Sequence, residues 1–175
     1  MLENSPRHSL QSLHFEIQRF EQLSNHQLYQ ILQSRCDVFV VEQQCAYQDL
    51  DGIDLQAWHV QGFVKDNHHN EDIKDIKDNK DNLAVYARII PPNVHPTGKP
   101  TIGRVITVKE FRGQNLARKL MIKAIEFCHT YYPRQPIYIC AQTYLLDFYQ
   151  SLGFVPQGER YLEDGIPHID MILSE

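Results

Sequence analysis

Apolar and polar positions alternate over 14–20, from His14 to Phe20, and predict an opening strand. The period then changes: Leu28, Ile31, Leu32, Cys36 and Phe39 recur at helical spacing. Ser24 stands before them as an N-cap, Gln27 completes a capping box, and Leu23 and Leu28 are placed as a hydrophobic staple. An acidic, turn-rich stretch follows over Glu42–Asp54. Ala57–Val64, Leu83–Ile90 and Thr101–Val108 read as three strands, the last two separated by the proline-rich Pro91–Pro100. Gly113–Tyr132 carries Leu116, Leu120, Met121, Ala124, Ile125 and Cys128 as one helical stripe, which Pro133 stops. Ile137–Ala141 is a continuous apolar run and predicts a strand covered on both faces. Thr143–Leu152 predicts a short helix closed by Gly153. Phe154–Tyr161 and Ile166–Leu173 predict a hairpin across Glu163, Asp164 and Gly165.

The resulting order is strand, helix, three strands, helix, strand, helix, two strands. It defines a mixed α/β layout in which two crossover helices flank a short central strand. A chain of 175 residues suits one core, so 14–175 forms a single domain behind a loose tail at 1–13. Within Lys65–Asn82 the only large apolar residues are Ile73 and Ile76, set among Asn, Asp and Lys. That composition predicts a mobile, charged loop enlarging the connection of a hairpin.

Charge and cysteine usage narrow the partners. The formal net charge of -5 lacks the basic excess of a nucleic-acid binder and favours a cationic acceptor. No stretch approaches the roughly 18 apolar residues of a membrane span, and the first residues hold no apolar core of a signal peptide. Cys36, Cys45, Cys128 and Cys140 form neither a CxxC pair nor a dense framework. They read as buried free thiols in a cytoplasmic protein. Asp49, Asp51 and Gly52 suggest a calcium loop. That loop needs a glycine midway and a closing glutamate, and the two positions hold Asp54 and Val60. No metal is expected. His59 and His168 are open to a catalytic or a structural reading.

Two segments carry candidate chemistry. Thr107–Ala117 runs from a strand through a Gly-containing turn into an amphipathic helix. Its free amides and helix dipole make an anion seat suited to a pyrophosphate, with Arg112 and Arg118 at hand. The second segment is Phe148-Tyr149 followed by Gly153-Phe154, where a tyrosine ring can pack while its hydroxyl reaches a cleft.

Together these segments resemble motifs of the GNAT N-acetyltransferases. Arg112, Gly113, Gln114, Leu116 and Ala117 match the pattern Arg/Gln-x-x-Gly-x-Gly/Ala, with Asn115 in place of the central glycine. Asn tolerates a positive φ better than any other residue after Gly. Phe148, Tyr149, Gly153 and Phe154 match the second motif, and the element order matches over 15–173. Arg35–Gln43, Tyr47–Asp54, His59-Val60, Ile102–Ile106 and Asp164–Ile169 are similar to the ElaA-like subfamily.

The resemblance implies a GNAT fold: a splayed, mostly antiparallel mixed sheet flanked by helices. It implies acetyl-CoA as co-substrate and direct acyl transfer to a primary amine, on a small molecule or a peptide. It places the pyrophosphate at Arg112, Gly113, Gln114, Asn115, Leu116, Ala117 and Arg118, and the pantetheine along Ile106, Thr107 and Val108. Gln142 would face the acyl group, and Tyr149 would protonate the leaving thiolate. Glu42, Asp49 and Asp51 are candidate bases or amine-binding carboxylates, Glu42 foremost. Neither a nucleic-acid nor a membrane partner is expected, and the chain would act as a monomer or homodimer. Two other readings stay open: an acyl-homoserine-lactone-synthase-like acyltransferase, which shares the Arg35-x-x-Val38-Phe39 pattern, and a non-catalytic acyl-CoA-binding regulator.

Overall fold

The alternation near His14 becomes strand β1 (Leu13–Arg19), which pairs antiparallel with β2 (Trp58–Val64). A computed structural model describes residues 13–65 and 82–174. The tail therefore yields Leu13 to the sheet, while the rest of that expectation and the character of 66–81 lie outside the described residues. The remaining elements are α1 (Asn25–Arg35), β3 (Asn82–Ile90), β4 (Thr101–Thr107), α2 (Leu116–Tyr131), β5 (Ile137–Gln142), α3 (Leu146–Gln150), β6 (Val155–Glu163) and β7 (Ile166–Leu173). The order of strands and helices is the one the hydrophobic pattern predicts.

Seven strands form one mixed sheet in the order β1-β2-β3-β4-β5-β7-β6. Every neighbouring pair is antiparallel except β4 and β5, which run parallel and pair only at Thr101 and Tyr138. Beyond that point the two strands part, and the β5-facing edge of β4 carries no ladder partner. This split is the expected splay, and it sits where the chain turns into α2.

The core lies on both faces of the sheet. On one face, α2 buries Leu116, Leu120, Met121, Ala124 and Cys128 against Val60, Ala87, Ile102 and Ile137. On the other, Ile31 of α1 packs with Phe63, Leu83, Tyr86 and Ile106. Ser24 accepts a hydrogen bond from the Gln27 amide, and Gln27 returns one to the Ser24 amide, so the capping box closes. Among the described residues, no helix is long and apolar enough to cross a membrane.

Three expectations are corrected. First, the α1 stripe does not continue inward through Cys36. The chain widens into π-helical turns over Cys36–Glu42, Cys36 is exposed, and Arg35 is fully buried. Second, Cys140 is exposed and Cys45 partly so, which leaves Cys128 as the one buried thiol of the four. Third, β5 is not covered on both faces. Ile137, Ile139 and Ala141 are buried, whereas Tyr138, Cys140 and Gln142 line a cavity. A short apolar run looks alike in either case, and only the splay tells them apart.

Val64 and Asn82 are direct partners in the β2–β3 ladder, so the ends of segment 66–81 are already joined. Replacing that segment with a short Gly-containing turn should leave the melting temperature nearly unchanged. Loop length enters stability only logarithmically, and few apolar groups are removed. A large drop in a thermal melt would contradict this.

Candidate active site

A cavity of about 1000 Å³ opens along the β4/β5 split. One end is the turn into α2. Gly113 (φ 76°) and Asn115 (φ 59°) both adopt left-handed backbone, so α2 begins at Leu116 rather than Gly113. The Asn115 side chain makes no capping hydrogen bond to its first-turn amides. The sixteen-residue helix thus presents free N–H groups and the positive end of its dipole. Gly113, Asn115, Leu116 and Ala117 line the cavity, as do Ile106, Thr107, Arg112, Gln142 and Tyr149. Val108, Gln114 and Arg118 are not among its lining residues. The Val108 amide donates to the Ala84 carbonyl at 2.9 Å, within the sheet.

The two arginines differ in employment. The Arg112 guanidinium donates to both Glu42 carboxylate oxygens at 2.7 and 2.8 Å, and its Nε donates to the Thr107 carbonyl at 3.1 Å. The hydrogen bond from Arg112 lowers the Glu42 carboxyl below its ordinary value, and Glu42 raises Arg112 in return. Arg118 reaches away from the turn, donating to Ser151 Oγ at 2.7 Å and the Ser151 carbonyl at 3.1 Å. It ties the first turn of α2 to Ser151, just beyond α3, the helix that carries Tyr149.

Tyr149 is 6% exposed and packs edge-on against Phe148 and Phe154. Gly153 makes this possible. It turns the chain at φ 95°, and a Cβ there would meet Leu173 at 3.0 Å. The Phe154 amide then donates to the Tyr149 carbonyl at 3.2 Å. Burial raises the Tyr149 phenol far above its ordinary value, so it stays protonated and able to donate.

The acidic stretch serves a different purpose from the one read in the sequence. Asp49 accepts from Arg35 Nε at 2.8 Å, Arg104 Nε at 2.6 Å and the Tyr47 hydroxyl at 2.9 Å. Asp51 accepts from Arg88 at 2.7 and 2.8 Å, and Asp54 accepts from Arg35 at 2.7 Å and Arg88 at 3.0 Å. Burial alone would raise Asp49 and Asp51. The facing arginines overcome it and hold both below the usual range. These carboxylates therefore anchor the loop over the sheet. His59 is structural too: its Nε2 donates to the Asp54 carbonyl at 3.0 Å and its Nδ1 accepts from the Tyr86 hydroxyl at 2.8 Å.

On the β5, β6 and β7 side, the cavity wall gathers Cys140, Tyr161, Glu163 and His168. Of these, sequence reasoning singled out only His168 as chemistry. The others sit on separate strands, and only the register brings them together: Cys140 faces Asp170, and Tyr161 faces His168.

The GNAT acetyltransferase domain model matches residues 76–175. The chain is 45% identical to Protein ElaA of Escherichia coli over 154 residues, covering 86% of this chain and 89% of that protein. The crystal structure of Escherichia coli ElaA superposes with a TM-score of 0.78 at 39% identity, over 93% of this chain and all of that one (100%). An acyl-CoA N-acyltransferase from Pseudomonas aeruginosa superposes with a TM-score of 0.79 at 35% identity, with the same coverage, 93% and 100%. With the split sheet, the uncapped α2 turn and these relatives in agreement, the chain belongs to the GNAT acetyltransferase family and to its ElaA-like branch.

Proposed function

We propose that the protein transfers an acetyl or related acyl group from acyl-CoA to a primary amine, by direct attack in a ternary complex. One observation carries this reading: the uncapped amides of the α2 turn, the unpaired edge of β4 and Tyr149 open onto one cavity. The pyrophosphate would lie on the amides of 113–117, where backbone N–H groups and the dipole favour an anion. The pantetheine would add to the free edge of β4 as an extra strand does. Gln142 would sit near the acyl group, donating meanwhile to Gln43 at 3.3 Å.

The amine attacks the thioester carbonyl, the carbon–sulfur bond breaks, and Tyr149 protonates the thiolate as it leaves. Glu42 is a poor base in this scheme, because its bidentate ion pair with Arg112 lowers its affinity for a proton. Its place is to aim Arg112 at the phosphate end.

Calorimetric titration with acetyl-CoA tests the donor site. Arg112→Ala removes the positive charge beside the turn, and Asn115→Pro removes an amide and cannot adopt φ 59°. Each should weaken binding about tenfold or more, the scale of a lost charge-assisted contact. Unchanged affinity in both folded variants would overturn the placement. At saturating acetyl-CoA, Glu42→Gln should keep kcat within a few-fold of wild type, and a loss beyond about 100-fold would restore Glu42 as the base.

A further inference from the structure

The proposed reaction needs a group to take the acceptor's proton, and Glu42, Asp49 and Asp51 are all engaged by arginines. The cavity wall on the other side of the split has the opposite character. Cys140 Sγ lies 2.9 Å from the Tyr161 hydroxyl and 3.1 Å from Glu163 Oε2, and the Tyr161 hydroxyl donates to Asp170 at 2.7 Å. Cys140 Sγ, a Glu163 oxygen and a His168 ring nitrogen all lie within 4.8 Å of one another. None of the ion pairs formed among the described residues includes Glu163 or Asp170. The arginines that line the cavity, Arg88, Arg104 and Arg112, are matched by Asp49, Asp51, Asp54 and Glu42.

The cluster is also short of hydrogen-bond donors. The Cys140 thiol and the Tyr161 hydroxyl bring one proton each, and the Tyr138 phenol brings another toward Asp170. Against them stand two carboxylates and the imidazole of His168. His168 Nδ1 lies 2.8 Å from the Ile166 carbonyl, which can only accept. The neutral ring therefore carries its hydrogen on Nδ1 and keeps a lone pair at Nε2. A ligand suited to this wall is positively charged and rich in donors. A primary ammonium, with three N–H donors, meets both demands.

Resting on the acyl-transfer reading, we propose that Glu163 and His168 form the acceptor site, which takes a primary alkylammonium and excludes acceptors bearing carboxylates. Glu163 accepts a hydrogen bond from the ammonium. His168 Nε2 takes one proton, which later passes to solvent, and leaves the nitrogen lone pair free. The nitrogen attacks the acyl carbon, and the carbon–sulfur bond breaks. The second proton lost by the nitrogen reaches the departing thiolate by way of Tyr149. Cys140 and Tyr161 orient Glu163, while Asp170 fixes Tyr161 and adds to the negative field.

Two experiments on the full chain test this. In the first, protein saturated with CoA is titrated calorimetrically with 1,5-diaminopentane and with glutarate. Diaminopentane should bind and glutarate should not, and Glu163→Gln should weaken diaminopentane at least roughly tenfold with CoA affinity unchanged. Equal binding of glutarate, or an unchanged diaminopentane affinity in Glu163→Gln, overturns the site. In the second, acetyl transfer is measured to diaminopentane and to methoxyamine, which is already neutral at neutral pH. His168→Asn should lower kcat with diaminopentane about 100-fold and with methoxyamine far less. Equal losses with both nucleophiles would overturn the base role. Tight Zn²⁺ binding abolished by Cys140→Ser would reassign the cluster to a metal. Acetyl-CoA titration of the same preparation separates the two readings: if acetyl-CoA binds and diaminopentane does not, only the acceptor site falls.

Discussion

Tyr149→Phe should turn over about 10- to 1000-fold more slowly than wild type, in the range set by loss of one general acid, while acetyl-CoA affinity stays close to wild type. The ring is retained, so the edge-on contacts with Phe148 and Phe154 survive. What is lost is one hydroxyl whose proton, in the proposed mechanism, matters only as the thiolate departs. Burial raises that phenol, which keeps it a donor at every working pH. A variant that lowers kcat without changing binding has lost an interaction made in the transition state. Steady-state kinetics and a thermal melt on one preparation check this. Wild-type turnover would show that water or another group supplies the proton. A lost melt would show that the hydroxyl serves the fold.

The largest expected effect on stability falls at Arg35. This side chain is 0% exposed and joins Asp49 to Asp54, with Arg88 and Arg104 on their far sides. Arg35→Met keeps much of the volume and leaves two buried carboxylates short of a cation. Breaking a buried pair in this way costs about 3–5 kcal/mol. The pH dependence gives a second check. Asp49 and Asp51 have folded-state values below their unfolded ones. Their contribution is therefore present above about pH 4 and is lost as pH falls through the folded values. In Arg35→Met the burial that opposes Asp49 ionisation is no longer overcome by Arg35, so protonation relieves the variant. The stability gap to wild type should be widest near neutral pH and shrink below about pH 4. Denaturant unfolding of both proteins across that range measures it, and a gap constant with pH would contradict the ion-pair account.

The turn into α2 and the tyrosine of α3, which meet at the cavity, were legible as local structure because each is encoded locally. The Arg112–Ala117 turn and the Phe148–Phe154 segment each write strand, turn and helix chemistry within a dozen residues. Even the substitution of Asn115 for glycine carried its own reason, a left-handed φ of 59°. The acidic stretch misled because charge and proximity look alike whether a carboxylate faces a substrate or an arginine. Arg35 decides between them, and its burial follows from Asp49 and Asp54, which lie 14 and 19 residues away. The polar wall around Cys140 was hidden for the same reason. Its members meet only through the β5–β7 and β7–β6 registers, and no sequence period records a register. Cys140 itself sat inside an apolar run whose second face became visible only once β4 and β5 parted.

The proposed reaction carries an acyl group from CoA to an amine nitrogen within this cavity. Incubating the full chain with acetyl-CoA and a panel of primary amines, and following free thiol together with the N-acetylated product by mass spectrometry, tests it most directly. Thiol and N-acetylamine should appear in equal amounts with at least one alkylamine, and Tyr149→Phe should slow both together. An intact thioester in every arm, with acetyl-CoA bound, would contradict it.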